Sequence, residues 1–78
     1  MRAYVLIHAQ TSETAEVVTM IRKIKGVTAA DVTFGPFDAV AQVEAENLDA
    51  IGRIIVREIR PLPGVMDTIT CLAVDPGN

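Results

Sequence analysis

Residues 2–34, RAYVLIHAQTSETAEVVTMIRKIKGVTAADVTF, read in one pass as strand, helix and strand. Arg2–Ala9 holds the apolar run Ala3-Tyr4-Val5-Leu6-Ile7, with β-branched members, and reads as a strand covered on both faces. Thr11-Ser12 offers a helix cap, and Glu13 and Glu16 then lie in the first turn, near the positive end of the dipole. Val17, Met20, Ile21 and Ile24 keep the i, i+3, i+4, i+7 spacing of one apolar stripe. Arg22, Lys23 and Lys25 fill the last turn, and Gly26 is the residue type that follows a helix end. Residues 27–34 alternate Ala30, Val32 and Phe34 with Asp31 and Thr33, as a second strand does.

The rest of the chain repeats this plan. Gly35-Pro36-Phe37-Asp38 is a turn, since glycine and proline punctuate and an aspartate can bond its own backbone. Residues 39–45 alternate Val40, Gln42 and Glu44 with Ala41, Val43 and Ala45. Asn47 caps a helix that carries Leu48, Ile51, Ile55 and Ile59, with Asp49 and Arg53 as an i, i+4 pair. Gly52 and the run Ile54-Ile55-Val56 leave a strand open there. Arg60 before Pro61 ends the helix. Leu62-Pro63-Gly64-Val65 turns the chain into a last strand over residues 66–74. Gly26-Val27 and Gly64-Val65 close the two helices 38 residues apart. The order βαββαβ predicts an α+β, ferredoxin-like sandwich, with an antiparallel sheet in the order 4-1-3-2 and two helices on one face.

Composition narrows the function. A chain of 78 residues is one domain, taken as 1–78, when domains run to about 100–200 residues. Half the residues are apolar, which excludes a disordered tail. Ten acidic residues against seven basic ones argue against direct nucleic-acid binding. A single cysteine, Cys71, permits no internal disulfide and points to a reducing, cytoplasmic setting, where a buried structural thiol is expected. No apolar run is long enough to span a membrane, and Met1-Arg2-Ala3 leads into a strand without a cleavage pattern. There is no P-loop, no dinucleotide glycine pattern and no cysteine–histidine cluster of metal spacing, so no cofactor or metal is expected.

The uncovered sheet face carries the next inference. Whether Val5 and Ile7 or Tyr4, Leu6 and His8 point away from the helices, the first strand shows apolar side chains to the open side. A sheet covered on one face only is expected to be polar on the other. A domain of this size buries only about 60% of its unfolded surface and commonly gains stability by association. The expectation is sheet-to-sheet dimerisation into a dimeric α/β-barrel-like assembly, and further assembly beyond it.

The opening strand 3–7, Gly26-Val27, the turn Gly35-Pro36-Phe37-Asp38, Leu62-Pro63-Gly64-Val65 and the final Met66-Asp67-Thr68-Ile69-Thr70 together resemble the effector-binding (RAM) domain of the Lrp/AsnC, or feast/famine, transcription regulators. The resemblance covers essentially the whole chain. It lacks the family's helix-turn-helix, as a stand-alone form would, and has proline at position 36 where an acidic or polar residue is common. The resemblance implies dimers joined through their sheets, octamers or decamers built from them, and a small effector, an amino acid, held between subunits. It implies co-assembly with full-length Lrp/AsnC regulators and transcription regulation as the setting. Carried over by position, Gly35, Pro36, Phe37 and Asp38 line the cleft. Gly35 lets ligand approach the backbone, Asp38 accepts from an α-ammonium, and Thr68 and Thr70 add hydroxyls from one strand face.

Each of these features also has a plainer reading. Asp38 serves a turn without any ligand, Phe37 packs, and threonines suit any strand. Arg53, Arg57 and Arg60 form a basic stripe that either attracts an anion or simply faces solvent beside Asp49 and Glu58. His8, the single imidazole, is the one candidate general base. It supports the alternative of a small cofactor-free monooxygenase-type enzyme, by analogy of fold alone. A third possibility is a structural oligomer whose ligand site has decayed.

Overall fold

The computed structural model describes residues 1–77; Asn78, the last residue of the 1–78 domain, lies outside them. Strand β1 (Arg2–Ala9) leads through a 3-10 turn (Thr11–Glu13) into helix α1 (Thr14–Ile21) and strand β2 (Val27–Val32). Strand β3 (Ala39–Glu44), helix α2 (Leu48–Ile54), a π turn (Ile55–Ile59) and strand β4 (Val65–Leu72) follow. The sheet order is β2-β3-β1-β4, the predicted 4-1-3-2 read from its other edge, and every pairing is antiparallel.

Alternation along β1 decides which face is which. Ala3, Val5, Ile7 and Ala9 are buried, while Tyr4, Leu6 and His8 between them are only partly covered. The buried set meets Ala39, Ala41 and Val43 of β3 and packs against Val17, Val18 and Ile21 of α1 and Ile51, Ile55 and Ile59 from the second helix. The helices therefore lie on the Ala3–Val5–Ile7 side. Tyr4, Leu6 and His8 look to the open side.

The two halves repeat at the level of single hydrogen bonds. Gly26 and Gly64 adopt φ +99° and +94°, a region in which side chains are strained. Val27 N donates to Ile24 O at 3.1 Å and Val65 N to Leu62 O at 3.2 Å. The glycine carbonyls then accept from Glu44 N and Gln10 N, at 2.8 and 2.9 Å. These bonds place β2 beside β3 and β4 beside β1, so the 38-residue offset marks one turn used twice.

Local predictions differ from the structure in four places. Thr11 and Ser12 give no capping bond from their side chains; the chain enters α1 through the 3-10 turn instead. α1 ends at Ile21, so Arg22, Lys23 and Lys25 lie in the following turn, and Val18 rather than Met20 is buried. The expected end of the second strand, Phe34, is fully exposed beyond β2. Cys71 is exposed in the single subunit rather than buried, because it alternates onto the open face opposite Tyr4.

The second helix follows its sequence more closely. Asn47 Oδ1 accepts from Ala50 N at 2.9 Å, the predicted cap. Asp49 and Arg53 form no ion pair among the described residues. The strand left open at Ile54-Ile55-Val56 is helical, but the ladder widens: Arg60 N bonds to Ile55 O, five residues back, at 2.9 Å. Four residues overshoot a 3.6-residue turn by about 40°. A wider turn corrects that drift and keeps Ile51, Ile55 and Ile59 on the sheet side, where all three are buried.

Candidate functional site

The sequence elements expected at the site fall on two sides of the sheet. The β2–β3 turn folds back over the open face at the end of β1. Thr33 N donates to Asp38 O at 2.9 Å, Thr33 Oγ1 to Phe37 O at 2.7 Å, and Asp38 N to Ile7 O at 2.9 Å. Asp38 Oδ2 accepts from Ala9 N at 2.8 Å, tying the turn to β1. A Cβ placed on Gly35 would meet no atom within 4 Å, so the space over that residue is open.

His8 completes this corner. Its Nδ1 lies 2.8 Å from Asp67 Oδ1 and its Nε2 lies 2.8 Å from Pro36 O. Its ring stacks on Phe37 with centroids 4.6 Å apart and planes 17° from parallel. One side chain thus joins β1, β4 and the turn. The Pro36 carbonyl and then the Asp67 carboxylate hold the His8 pKa above its ordinary value of 6.5, because both favour an N–H in each ring position. Phe37 packs on an imidazole.

Thr68 and Thr70 share a face, as alternation requires, but it is the helix-facing side of β4, opposite Ile7 and Val5. They line a groove of about 420 Å³ with Leu48, Ile51, Gly52, Ile55, Val56, Arg60 and Leu72. Within one subunit the structure brings together Gly35, Pro36, Phe37 and Asp38, and leaves the two threonines on the other side of the sheet. It adds His8 and Asp67 to the turn. Sequence reasoning quoted Asp67 only within a motif, because its partner is 59 residues away. The signal that finds the pair is the β1–β4 register, which sets His8 directly opposite Asp67.

The basic stripe also divides. Arg53 and Arg57 meet Lys23 and Lys25 around a cleft of about 410 Å³ that Glu58 shares, while Arg60 belongs to the groove with the threonines. Among the described residues no helix is long and apolar enough to cross a membrane, and no three metal-ligating side chains gather.

The open face itself is apolar along two neighbouring strands. Leu6 sits opposite Ile69, and Tyr4 opposite Cys71. Ile69 is 51% exposed. This strip runs along β1 directly into His8 and the turn.

Comparison with known proteins identifies the family and the fold. The Lrp/AsnC ligand binding domain family matches residues 2–76. An uncharacterised HTH-type transcriptional regulator of Pyrococcus abyssi is 33% identical over 60 residues, which are 77% of this chain and 40% of the regulator. The chain thus spans about 40% of the length of the curated relatives it matches. Among solved structures, TTHA0845 from Thermus thermophilus superposes with a TM-score of 0.90 and 27% identity, covering 95% of this chain and 92% of that one. FFRP-DM1 gives a TM-score of 0.88 and 26% identity, covering 94% of this chain and 97% of that one. Matched over residues 2–76, from its first strand to beyond its last, the chain belongs to the Lrp/AsnC ligand binding domain family.

Proposed function

We propose that the chain is an effector-sensing and assembly module that binds an amino acid at the 35–38 turn, where two copies meet. One observation carries this reading: the uncovered apolar strip of Tyr4, Leu6 and Ile69 leads straight into the turn, so a second copy laid on the strip stands beside it. The N–H groups of Gly35 and Phe37 hold the α-carboxylate, since Pro36 has none to give. Asp38 uses Oδ2 on Ala9 and offers Oδ1 to the α-ammonium. Thr68 and Thr70, on the helix-facing side of β4, reach the ligand from a copy in an adjoining dimer rather than from the copy laid on the strip. The effector acts through the difference in its affinity for the two assembly states, and it cannot shift the equilibrium by more than that difference. Co-assembly with full-length regulators in the cytoplasm follows from the same surfaces.

A catalyst built on His8 is the weaker reading, and the relatives are regulators. A general base needs a nitrogen free to take a proton, and both of His8's nitrogens are engaged at 2.8 Å.

Titration calorimetry with each of the twenty amino acids, paired with light scattering, tests the proposal. Heat and a change of mass are expected with at least one. Asp38→Asn keeps the acceptor for Ala9, removes the charge, and abolishes the heat with far-UV circular dichroism unchanged. Silence from all twenty, with no change of mass, overturns the reading.

A further inference from the structure

We infer that His8 is the positioning residue of the β2–β3 turn, holding Pro36 and Phe37 against β1 and β4 only while its ring carries both protons. The geometry requires this. Nδ1 faces a carboxylate oxygen and Nε2 faces a carbonyl oxygen, each at 2.8 Å, and neither of those atoms can donate. The Asp67 side chain is 67% exposed, so it can be replaced without disturbing the core. A neutral imidazole satisfies one of the two contacts and turns a lone pair on the other. The imidazolium satisfies both. Stacking on Phe37 fixes the ring plane, so the ring cannot swing to escape the mismatch without giving up that contact.

The surroundings are acidic. Asp67 faces the ring from β4, and Asp38 contributes from the turn side; both favour the charged ring. Among the described residues no cationic side chain acts on it. The bond to the charged Asp67 carboxylate is the stronger of the two and keeps the remaining proton on Nδ1, so loss of one proton costs the tie to Pro36 O. The turn keeps its Asp38–Ala9 and Asp38–Ile7 bonds and loses the contact that fixes Pro36 and Phe37.

Two independent measurements test this. The first needs no ligand. The carbon-bound ring protons of His8 and the amides of Gly35 and Phe37 are followed by nuclear magnetic resonance from pH 5 to 9. The ring midpoint is expected above 6.5, and both amides are expected to move with the same midpoint. In Asp67→Asn the midpoint falls and the amide transitions fall with it; Asp67 is a surface side chain, so this variant keeps the fold. In His8→Gln the two amides stop titrating in this range. A ring midpoint at or below 6.5, or amides indifferent to it, overturns the inference.

The second measurement rests on the proposed ligand site. For whichever amino acid gives heat, the apparent affinity scales with the protonated fraction of His8, falling by up to about tenfold for each pH unit above the midpoint. A flat or rising affinity breaks the link between His8 and the ligand. If no amino acid binds, the ligand reading fails, while the first measurement still decides whether His8 positions the turn.

Discussion

At the scale of residues, Asp38 and His8 do different work on the same turn. Asp38 satisfies the Ala9 N–H, a group on a residue only 5% exposed. Asp38→Ala leaves that donor without its acceptor, at a cost of about 1–2 kcal/mol. In a domain of this size each kcal/mol moves the melting temperature by roughly 4–8 °C, so calorimetric melting shows the loss directly. Asp38→Asn keeps the oxygen and is expected to melt within a few degrees of the parent. His8 adds a stability term that depends on pH, and its sign is fixed. The folded pKa is raised above 6.5, so the contribution is complete below the unfolded value and is lost as pH rises through the folded one. Urea midpoints of the parent and His8→Gln are thus furthest apart near pH 5.5 and converge at pH 9. A gap that widens with pH contradicts the charged clamp.

At the scale of elements, the strands and their order were legible, but which face of β1 meets the helices was not, because the run Ala3-Tyr4-Val5-Leu6-Ile7 is apolar on both. Val5, Ile7, Ala41 and Val43 cannot change face without exposing the core, and the turns at Gly26 and Gly64 admit few other residue types. The first helix was legible in type and less so at its ends. Thr11 and Ser12 look like caps, yet the 3-10 entry removes the geometry a side-chain cap needs. Local sequence gives no sign of the choice. The turn at 35–38 was legible, since glycine, proline and aspartate determine a turn by themselves. His8 and Asp67 were not, since a pair 59 residues apart is brought together by register alone. The π turn was hidden for a similar reason. Leu48, Ile51, Ile55 and Ile59 suit a helix, and only the fixed sheet surface shows that a plain α-helix would rotate Ile59 off it. Ile59 is fully buried, so Ile59→Ala removes about 2–5 kcal/mol, enough in a small domain to leave much of the chain unfolded at 37 °C by circular dichroism. Val56→Ala on the exposed side of the same turn is expected to cost far less.

At the scale of the whole molecule, surface is in excess. A folded monomer of 8.4 kDa is expected to expose about 4,600 Å², and this chain exposes 5108 Å². The excess is apolar where it matters. Ile69 and Leu6 face each other across β1 and β4 on the open side, Tyr4 and Cys71 continue the strip, and Phe34 stands fully exposed at the hairpin tip. Exposed apolar side chains joined into a patch mark an interface, and a second copy offers the same patch in return. Ile69→Lys tests this without touching the core, because Ile69 is already 51% exposed in the single subunit. A lysine there costs an isolated subunit little. In a face-to-face dimer it buries an unpaired ammonium, which carries a penalty of several kcal/mol per ion. Light scattering at micromolar concentration is therefore expected to read at least twice the chain mass for the parent and a single chain mass for Ile69→Lys, with circular dichroism showing both folded. A folded monomeric parent would remove the second copy that the proposed effector site requires, whereas an unchanged oligomer in Ile69→Lys would place the interface elsewhere, on the helix side or along the free edges of β2 and β4.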